Sequence, residues 1–394
     1  MQLTHSRSIF EQFILPSWVQ DRALSANLRI SNYVVNAVAV RPALEDVFRV
    51  SHENLLALRN DQANSTKVFC TPFIAFAPTL SSIADWRSFI EGTMPTVTME
   101  RLRAGLPQNL SVVERLALEH TNRSYITALY DMLNMSVLAA PLLGISNELA
   151  AYLRSVPQHE MDVAISERLV PLFQWRFADE MFWLETYAGR LSRELIAHYL
   201  MESSPLRADR LPHSGPWGKF RLENFVRDAL FEAFLYFSCR AKSVASLFNT
   251  SVDTAREAYR RIHGKPSPSG QPPSSLTWFI ETAPRRVQST FQMWLFRSAI
   301  ACDVSTPESF VAAMDINRAF FAEDCTVPPE RSMHLARSMS MNEELAVWPC
   351  RKCGTPYLAS NSSDRIELSQ SFTCPCCNGT LTATRGGNRR RRPD

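Results

Sequence analysis

The sequence predicts a mostly α-helical protein that ends in a small cysteine-rich module. Glycine is scarce, with 12 residues in 394, and Leu, Ala, Arg and Glu recur every three or four positions, as helices with one buried face require. Two Cys-x-x-Cys motifs lie near the end of the chain, between Cys350 and Cys377. Prolines separate the helical stretches, and the segment 264–275 contains too much proline and glycine to be helical.

The chain is long enough for two or three domains of roughly 100 to 200 residues each. The breaks in the pattern divide it into two helical modules at 1–110 and 111–212, a larger helical domain at 213–345, a cysteine-rich module at 346–384 and a basic tail at 385–394. The hydrophobic fraction of 45% suffices for ordinary buried cores.

Neither a signal peptide nor a membrane span is expected. The segment Met1–Gln20 has no unbroken apolar run, and the apolar run Met132–Ile145 is short and interrupted by polar residues and a proline. We therefore expect a soluble protein of the reducing cytoplasm. There, five of the nine cysteines packed between 350 and 377 favour a metal site over the alternative of two disulfides.

The cysteine spacing is typical of a structural zinc ribbon. Two Cys-x-x-Cys hooks about twenty residues apart present four thiolates to one ion, and four thiolates leave no position for water. Gly354 and Gly379 follow the hooks, where such turns need a permissive backbone. Cys376 could exchange with a neighbouring ligand. The zinc ligands that we assign are Cys350, Cys353, Cys374 and Cys377.

Two stretches of the first half share one pattern. The segments 46–59 and 141–154 each contain a helix, a short turn and a serine, Ser51 or Ser146, placed to cap the next helix. Each segment is followed by a stretch of proline and aromatic residues. We interpret them as two copies of one helical module, the first more degenerate, with chance similarity as the alternative for that copy. The aromatic residues of the second copy favour core packing over base stacking; they are Phe173, Trp175, Phe177, Phe182 and Trp183.

The segment 245–263 has the pattern of a helix-turn-helix. A helix, a turn through Asn249-Thr250 and a second helix capped by Ser251 or Thr250 present arginines at exposed positions. Positive charge on such a ridge binds phosphates, and a merely solvated basic face is the alternative. The predicted DNA-binding residues are Lys242, Arg256, Arg260, Arg261, Lys265, Arg285 and Arg286. The basic run 389–392 is either a phosphate-binding arm or a solubilising tail.

These motifs, in this order, resemble a known family. The segments 143–151, 157–161 and 173–177 resemble FlhD, and the likeness runs over 122–203. The order of helix-turn-helix, proline-rich loop, Trp278-Phe279, an amphipathic helix through Phe291 and Trp294, and paired cysteine hooks resembles FlhC. FlhD and FlhC together form the bacterial flagellar master regulator. In that family they are separate chains, so this sequence resembles an FlhD–FlhD–FlhC fusion.

The resemblance implies a DNA-binding transcriptional activator with one structural Zn²⁺. It implies duplex promoter DNA and RNA polymerase as partners, pairing of the two FlhD-like copies, and a homodimer of the whole chain. The alternative function is a zinc-ribbon adaptor that binds protein without touching DNA. The eight histidines lack a catalytic context and no phosphate-binding glycine loop occurs, so we expect no enzymatic activity.

Overall fold

Helices dominate the protein, and the predicted mostly α fold class is confirmed. The computed structural model describes residues 13–215, 217–218, 220–271, 273–341, 344–360 and 373–379. Within these ranges the chain forms 18 α-helices and two sheets of two strands each. No described helix combines the length and the apolar character that crossing a membrane would take.

The first half of the chain contains one series of elements twice. The first repeat comprises α1 (Ser17–Val40), α2 (Leu44–Phe48), α3 (His52–Asn60), α4 (Gln62–Phe69), β1 (Phe76–Pro78), α5 (Ile83–Glu91) and α6 (Val97–Gly105). The second repeat comprises α7 (Val112–Met135), α8 (Ala139–Leu143), α9 (Asn147–Ser155), α10 (Gln158–Glu167), β2 (Phe173–Trp175), α11 (Glu180–Tyr187) and α12 (Arg193–Glu202). As predicted, Ser51 caps α3 and Ser146 caps α9.

The two repeats pack against each other through equivalent surfaces. Strands β1 and β2 pair antiparallel, with Phe76 opposite Trp175 and Pro78 opposite Phe173. The long helices α1 and α7 also run antiparallel, because Arg22 pairs with Asp131 at one end and Arg41 with Glu114 at the other. The strand register is reciprocal between the repeats and the long helices are antiparallel, as at a two-fold interface. The expected pairing of the two segments is therefore present within one chain.

A buried asparagine supports each half of this interface. The amide of Asn27 donates to the carbonyl of Phe73 (3.0 Å) and accepts from the backbone N–H of Ala75 (2.8 Å). Asn122 makes the equivalent bonds in the second repeat, to the carbonyl of Val170 (2.8 Å) and from Leu172 (3.1 Å). Both side chains are fully buried. Each asparagine therefore supplies hydrogen-bond partners to one buried carbonyl and one buried N–H group immediately before its strand.

Besides two short 3-10 helices, the described residues of the second half form six α-helices and a hairpin. They are α13 (Asn224–Tyr236), α14 (Ala241–Phe248), α15 (Val252–His263), α16 (Ala283–Ile300), α17 (Thr306–Phe321), α18 (Pro329–Met341), β3 (Leu345–Pro349) and β4 (Pro356–Ser360). The strands β3 and β4 pair antiparallel, with Trp348 opposite Tyr357. The proline-rich segment before α16 has no helix or strand among its described residues.

Helix α16 is the centre of the molecule, and its predicted amphipathic character is wrong. Every residue from 286 to 299 is buried, because the helix is surrounded by α12, α17, α18 and β4. Phe73 of the first repeat packs on Phe291 and Trp294, and the Trp294 indole donates to the carbonyl of Leu206 (2.8 Å). The Thr290 hydroxyl accepts from the backbone N–H of Leu358 in β4 (3.0 Å). The helix therefore joins the repeats to the cysteine-rich module.

The aromatic side chains of the second repeat belong to the core, as predicted. All five are buried, and Trp175 has edge or stacking contacts with Phe177, Phe182 and Trp183. These rings present no open face on which a nucleic-acid base could stack.

Candidate metal centre and basic groove

Four cysteines meet at the end of the β3–β4 hairpin. The sulfur atoms of Cys350, Cys353, Cys374 and Cys377 all lie within 4.8 Å of one another, and this group could hold a metal ion. The Cys350–Cys377 sulfurs are 3.5 Å apart and the Cys353–Cys374 sulfurs 3.7 Å. Thiolates at about 2.3 Å from a tetrahedral zinc lie about 3.8 Å from each other. The group therefore has the dimensions of a four-thiolate zinc site.

The backbone builds the two hooks alike. The N–H of Cys350 donates to the carbonyl of Thr355, and the N–H of Cys374 donates to the carbonyl of Gly379, both at 2.8 Å. Four residues after the first cysteine of each hook the chain is left-handed, at Gly354 (φ 79°) and at Asn378 (φ 52°). These positions suit glycine and asparagine, which tolerate that conformation best.

Gly379 has a different role from the one predicted. The left-handed residue of the second hook is Asn378, and Gly379 is required instead by a close approach. A Cβ atom at this position would lie 3.0 Å from the Cys350 sulfur and 3.1 Å from the Cys377 sulfur. The glycine therefore keeps space beside the sulfur atoms.

Hydrogen bonding between the thiols shifts the pKa values of Cys353 and Cys374 in opposite directions. The hydrogen bond from Cys374 holds the pKa of Cys353 below its usual range, while the same bond raises the pKa of Cys374. Burial raises the pKa of Cys377. Four thiols this close cannot all ionise without a cation, so metal binding must release protons.

Cys376 lies outside the four-sulfur group. Its thiol contacts the Tyr199 hydroxyl (3.4 Å) in the second repeat, and it is 2% exposed. Burial raises its pKa to about 12. The geometry therefore favours Cys374 and Cys377 over Cys376 as partners of the first hook.

Helices α14 and α15 form a compact pair joined by a short turn. Asn249 ends α14 in the left-handed conformation (φ 52°), and the Ser251 hydroxyl accepts from the backbone N–H of Thr254 to start α15. Of the two predicted caps, Ser251 is thus the one used. Ala255 and Ala258 are buried against the rest of the domain, which leaves the arginines of α15 on its outer side.

Two of the predicted cations line one groove beside this helix pair. Lys242 and Arg256 are exposed and border a cavity of about 530 Å³ between α14, α15, α18 and the proline-rich segment. Arg256 forms a surface ion pair with Asp253 at 3.2 Å, with both side chains more than half exposed. Such a pair contributes at most about 1 kcal/mol, so it does not prevent the arginine from contacting another anion.

The other predicted cations are not gathered in that groove. Arg261 pairs with Glu232 of α13 and lines a separate surface cavity with Phe225. Arg260 and Lys265 are exposed. Arg285 forms an ion pair with Glu281 (2.9 Å) and lies over the Trp278 ring. The sequence-predicted stripe is therefore divided over several faces.

The prediction that Arg286 contacts DNA is wrong for this fold. Its side chain is 1% exposed and donates to the carbonyl of Ile280 (2.7 Å). Burial lowers its pKa to about 10. Arg286 follows Arg285 in sequence, but one step along a helix turns a side chain by about 100°, here from the surface to the interior.

Three arginines that the sequence pattern did not single out extend the basic surface. Arg240 and Arg337 line the same groove as Lys242 and Arg256. Arg331 stacks on Trp278 at 4.1 Å, and burial together with the charges of Arg285 and Arg240 lowers its pKa. These residues come from the start of α14 and from α18, so no local charge run marks them. The one weak signal in the sequence is that Arg331 and Arg337 both occur in the same predicted helical stretch, six positions apart.

Together, these features describe a mostly helical protein with a series of elements that occurs twice, a group of four cysteines that could hold a metal ion, and a basic groove. No protein-family profile matches the chain, and no curated protein matches it by sequence. The basic tail at 385–394 lies outside the described residues, as do most residues between the two cysteine hooks.

Proposed function

We propose that this protein is a cytoplasmic, non-enzymatic DNA-binding transcriptional activator of the FlhD/FlhC type. Its helix-turn-helix, α14 and α15, would dock on duplex promoter DNA. The observation that carries the proposal is the groove beside these helices, where exposed Lys242, Arg256 and Arg337 lie with half-buried Arg240, and where Glu330 is the one acidic residue of the described lining. Cations gathered on one concave surface can neutralise the phosphates of a nucleic-acid backbone and release its counterions.

A structural zinc ion in the four-cysteine group is part of this proposal. The hairpin β3–β4 reaches the core through Tyr357 and Leu358, so a filled site would fix the end of the domain against α16. Four thiolates complete the tetrahedron, which suits a structural ion. Lys352, whose ammonium donates to the carbonyl of Cys377 (3.2 Å), would place one more positive charge beside the ribbon.

We further propose that two chains associate. The internal pairing of the repeats already uses their equivalent faces, so a second copy must dock elsewhere. A highly exposed set of apolar side chains occurs around the junction of the repeats, formed by Met94, Val97, Val112, Val113 and Leu116. Burying this set against a second copy would create a two-fold assembly suited to two half-sites and to contact with RNA polymerase. A strict monomer at micromolar concentration, with and without DNA, would contradict it.

The test of DNA binding is a salt titration with a labelled duplex. The logarithm of the affinity should fall linearly with the logarithm of salt concentration, and the variant Lys242→Ala/Arg256→Ala should reduce that slope by about 2 because two phosphate contacts are lost. The control Arg101→Ala/Arg103→Ala removes the same charge from exposed positions of the first repeat. It should leave the slope unchanged.

The titration also separates the proposed function from the adaptor function. A folded, zinc-loaded chain that binds no duplex at low salt favours an adaptor that uses the ribbon to bind protein. Equal slopes for the groove variant and its control would show that any binding occurs through another surface.

A further inference from the structure

A second group of metal-binding side chains lies behind the ribbon. His198 and Glu202, one turn apart on α12, meet Cys376 from the second hook, and their ligand atoms lie within 4.8 Å of one another. His198 is fully buried and Cys376 is 2% exposed. None of the three belongs to the four-cysteine group, although Cys376 is next to one of its members in sequence.

The imidazole of His198 is held as a metal ligand would be. Its Nδ1 is hydrogen-bonded to the Tyr357 hydroxyl, and Tyr357 also hydrogen-bonds Cys374 of the four-cysteine group. Proteins orient metal-binding histidines by such a bond to the second ring nitrogen. The arrangement fixes the ring and turns Nε2 toward Glu202.

The Nε2 atom of His198 lacks a hydrogen-bond partner among the described residues, although it is buried. The nearest carboxylate oxygen, on Glu202, is 3.6 Å away, which is too long for a hydrogen bond. A buried nitrogen left in this state costs free energy unless something occupies the space before it. A cation between Nε2, the carboxylate and the Cys376 sulfur would satisfy all three.

The site has access to solvent and room for another ligand. A cavity of about 320 Å³ adjoins it and is lined by Asp179, Glu202 and Cys376. A carboxylate oxygen of Asp179 lies 3.8 Å from the Cys376 sulfur. The cavity provides a path for an ion and a position for a water molecule or for Asp179.

We propose that His198, Glu202 and Cys376 bind a second divalent metal ion, separate from the four-cysteine site. One nitrogen, one carboxylate oxygen and one sulfur suit Zn²⁺, and three protein ligands leave a fourth position toward the cavity. The ion would connect the last helix of the second repeat with the ribbon. Loss of metal from either site would then loosen the same contact.

The test is the metal content of the full chain after loading with Zn²⁺ and removal of excess. Two ions per chain are expected for the unchanged protein. Glu202→Gln and His198→Gln should each bind one, while Cys302→Ala, at a half-buried cysteine of the larger helical domain, should keep two. One ion in the unchanged protein overturns the proposal. Two ions retained in both Glu202→Gln and His198→Gln overturn it as well.

Loading with Co²⁺ assigns the ion that is lost. Four thiolates give Co²⁺ an intense sulfur charge-transfer absorption, to which a site with one thiolate adds little. The Glu202→Gln variant should lose one Co²⁺ and keep that absorption. If the variant instead lost the intense absorption and kept a weak one, the ion lost would be the one at the four-cysteine site, which would contradict the proposal. Neither readout depends on DNA, so failure here leaves the proposed function intact.

Discussion

Replacing Asn122 by alanine tests the interface between the two repeats, because this side chain hydrogen-bonds the backbone that immediately precedes strand β2. The substitution leaves the carbonyl of Val170 and the N–H of Leu172 buried without their partner. Each unsatisfied group costs about 1–3 kcal/mol, so the loss of both bonds should lower the free energy of unfolding by about 2–6 kcal/mol. Asn27→Ala should cost at least as much, because Asn27 also donates to the carbonyl of Phe69 (3.1 Å).

Urea unfolding followed by tryptophan fluorescence measures the loss, and hydrogen exchange at the Leu172 amide localises it. Asn60→Ala is the control, an exposed asparagine of the first repeat that should change stability by less than about 0.5 kcal/mol. If Asn122→Ala were as mild as Asn60→Ala, with the Leu172 amide still protected, the asparagine would not support the interface as described.

Three further substitutions test separate parts of the structure. Cys353→Ser should abolish metal binding at the four-cysteine site and destabilise the C-terminal part of the chain by on the order of 10 kcal/mol, and an unchanged metal content or thermal transition would refute the ligand assignment. Gly379→Ala should weaken zinc binding in competition with a chelator, because its Cβ would crowd two sulfurs; equal affinity would contradict the close approach. Asp315→Asn should raise stability at pH 7 by at most about 3 kcal/mol, because burial raises the pKa of Asp315 to about 6. The folded chain binds this proton more tightly than the unfolded chain, so stability falls as pH rises from about 4 to 6 in the unchanged protein and should fall less in the variant. Asp303→Asn is the control, and a loss of stability at pH 7 in Asp315→Asn would contradict this reasoning.

Local patterns in the sequence predict much of the fold correctly. Helix caps such as Ser51, Ser146 and Ser251 act over three residues, so the sequence contains all the information they need. Each Cys-x-x-Cys hook is also a local motif, and the twenty residues between the hooks are few enough to predict that both bind one ion. The repeated series is indicated in the sequence by the shared order of a helix, a turn, a capping serine (Ser51 or Ser146) and a proline-aromatic stretch.

Contacts between elements that are separate in the sequence explain why some predictions were wrong and why some residues were missed. Arg286 and the polar side chains of α16 look like surface residues, yet α12, α18 and β4 pack on that helix in addition to its neighbour α17. Arg240 and Arg337 line one groove because the start of α14 lies against α18, where the Glu330 carboxylate accepts from the backbone N–H of Arg240 and from the Ser243 hydroxyl. The environment of Cys376 likewise depends on α12, far away along the chain. The spacing of residues along the sequence does not predict contacts of this kind.

The proposed function requires above all that duplex DNA contacts the groove beside α14 and α15. A photo-crosslinking residue in place of Ser246, which is exposed and lines this groove, tests the contact directly. Leu184, half exposed in the second repeat, is the control position. With zinc-loaded protein at moderate salt, we predict covalent DNA adducts from position 246 and few from position 184. Adducts from position 184 but not from position 246, or none from either in a folded chain, would contradict the claim.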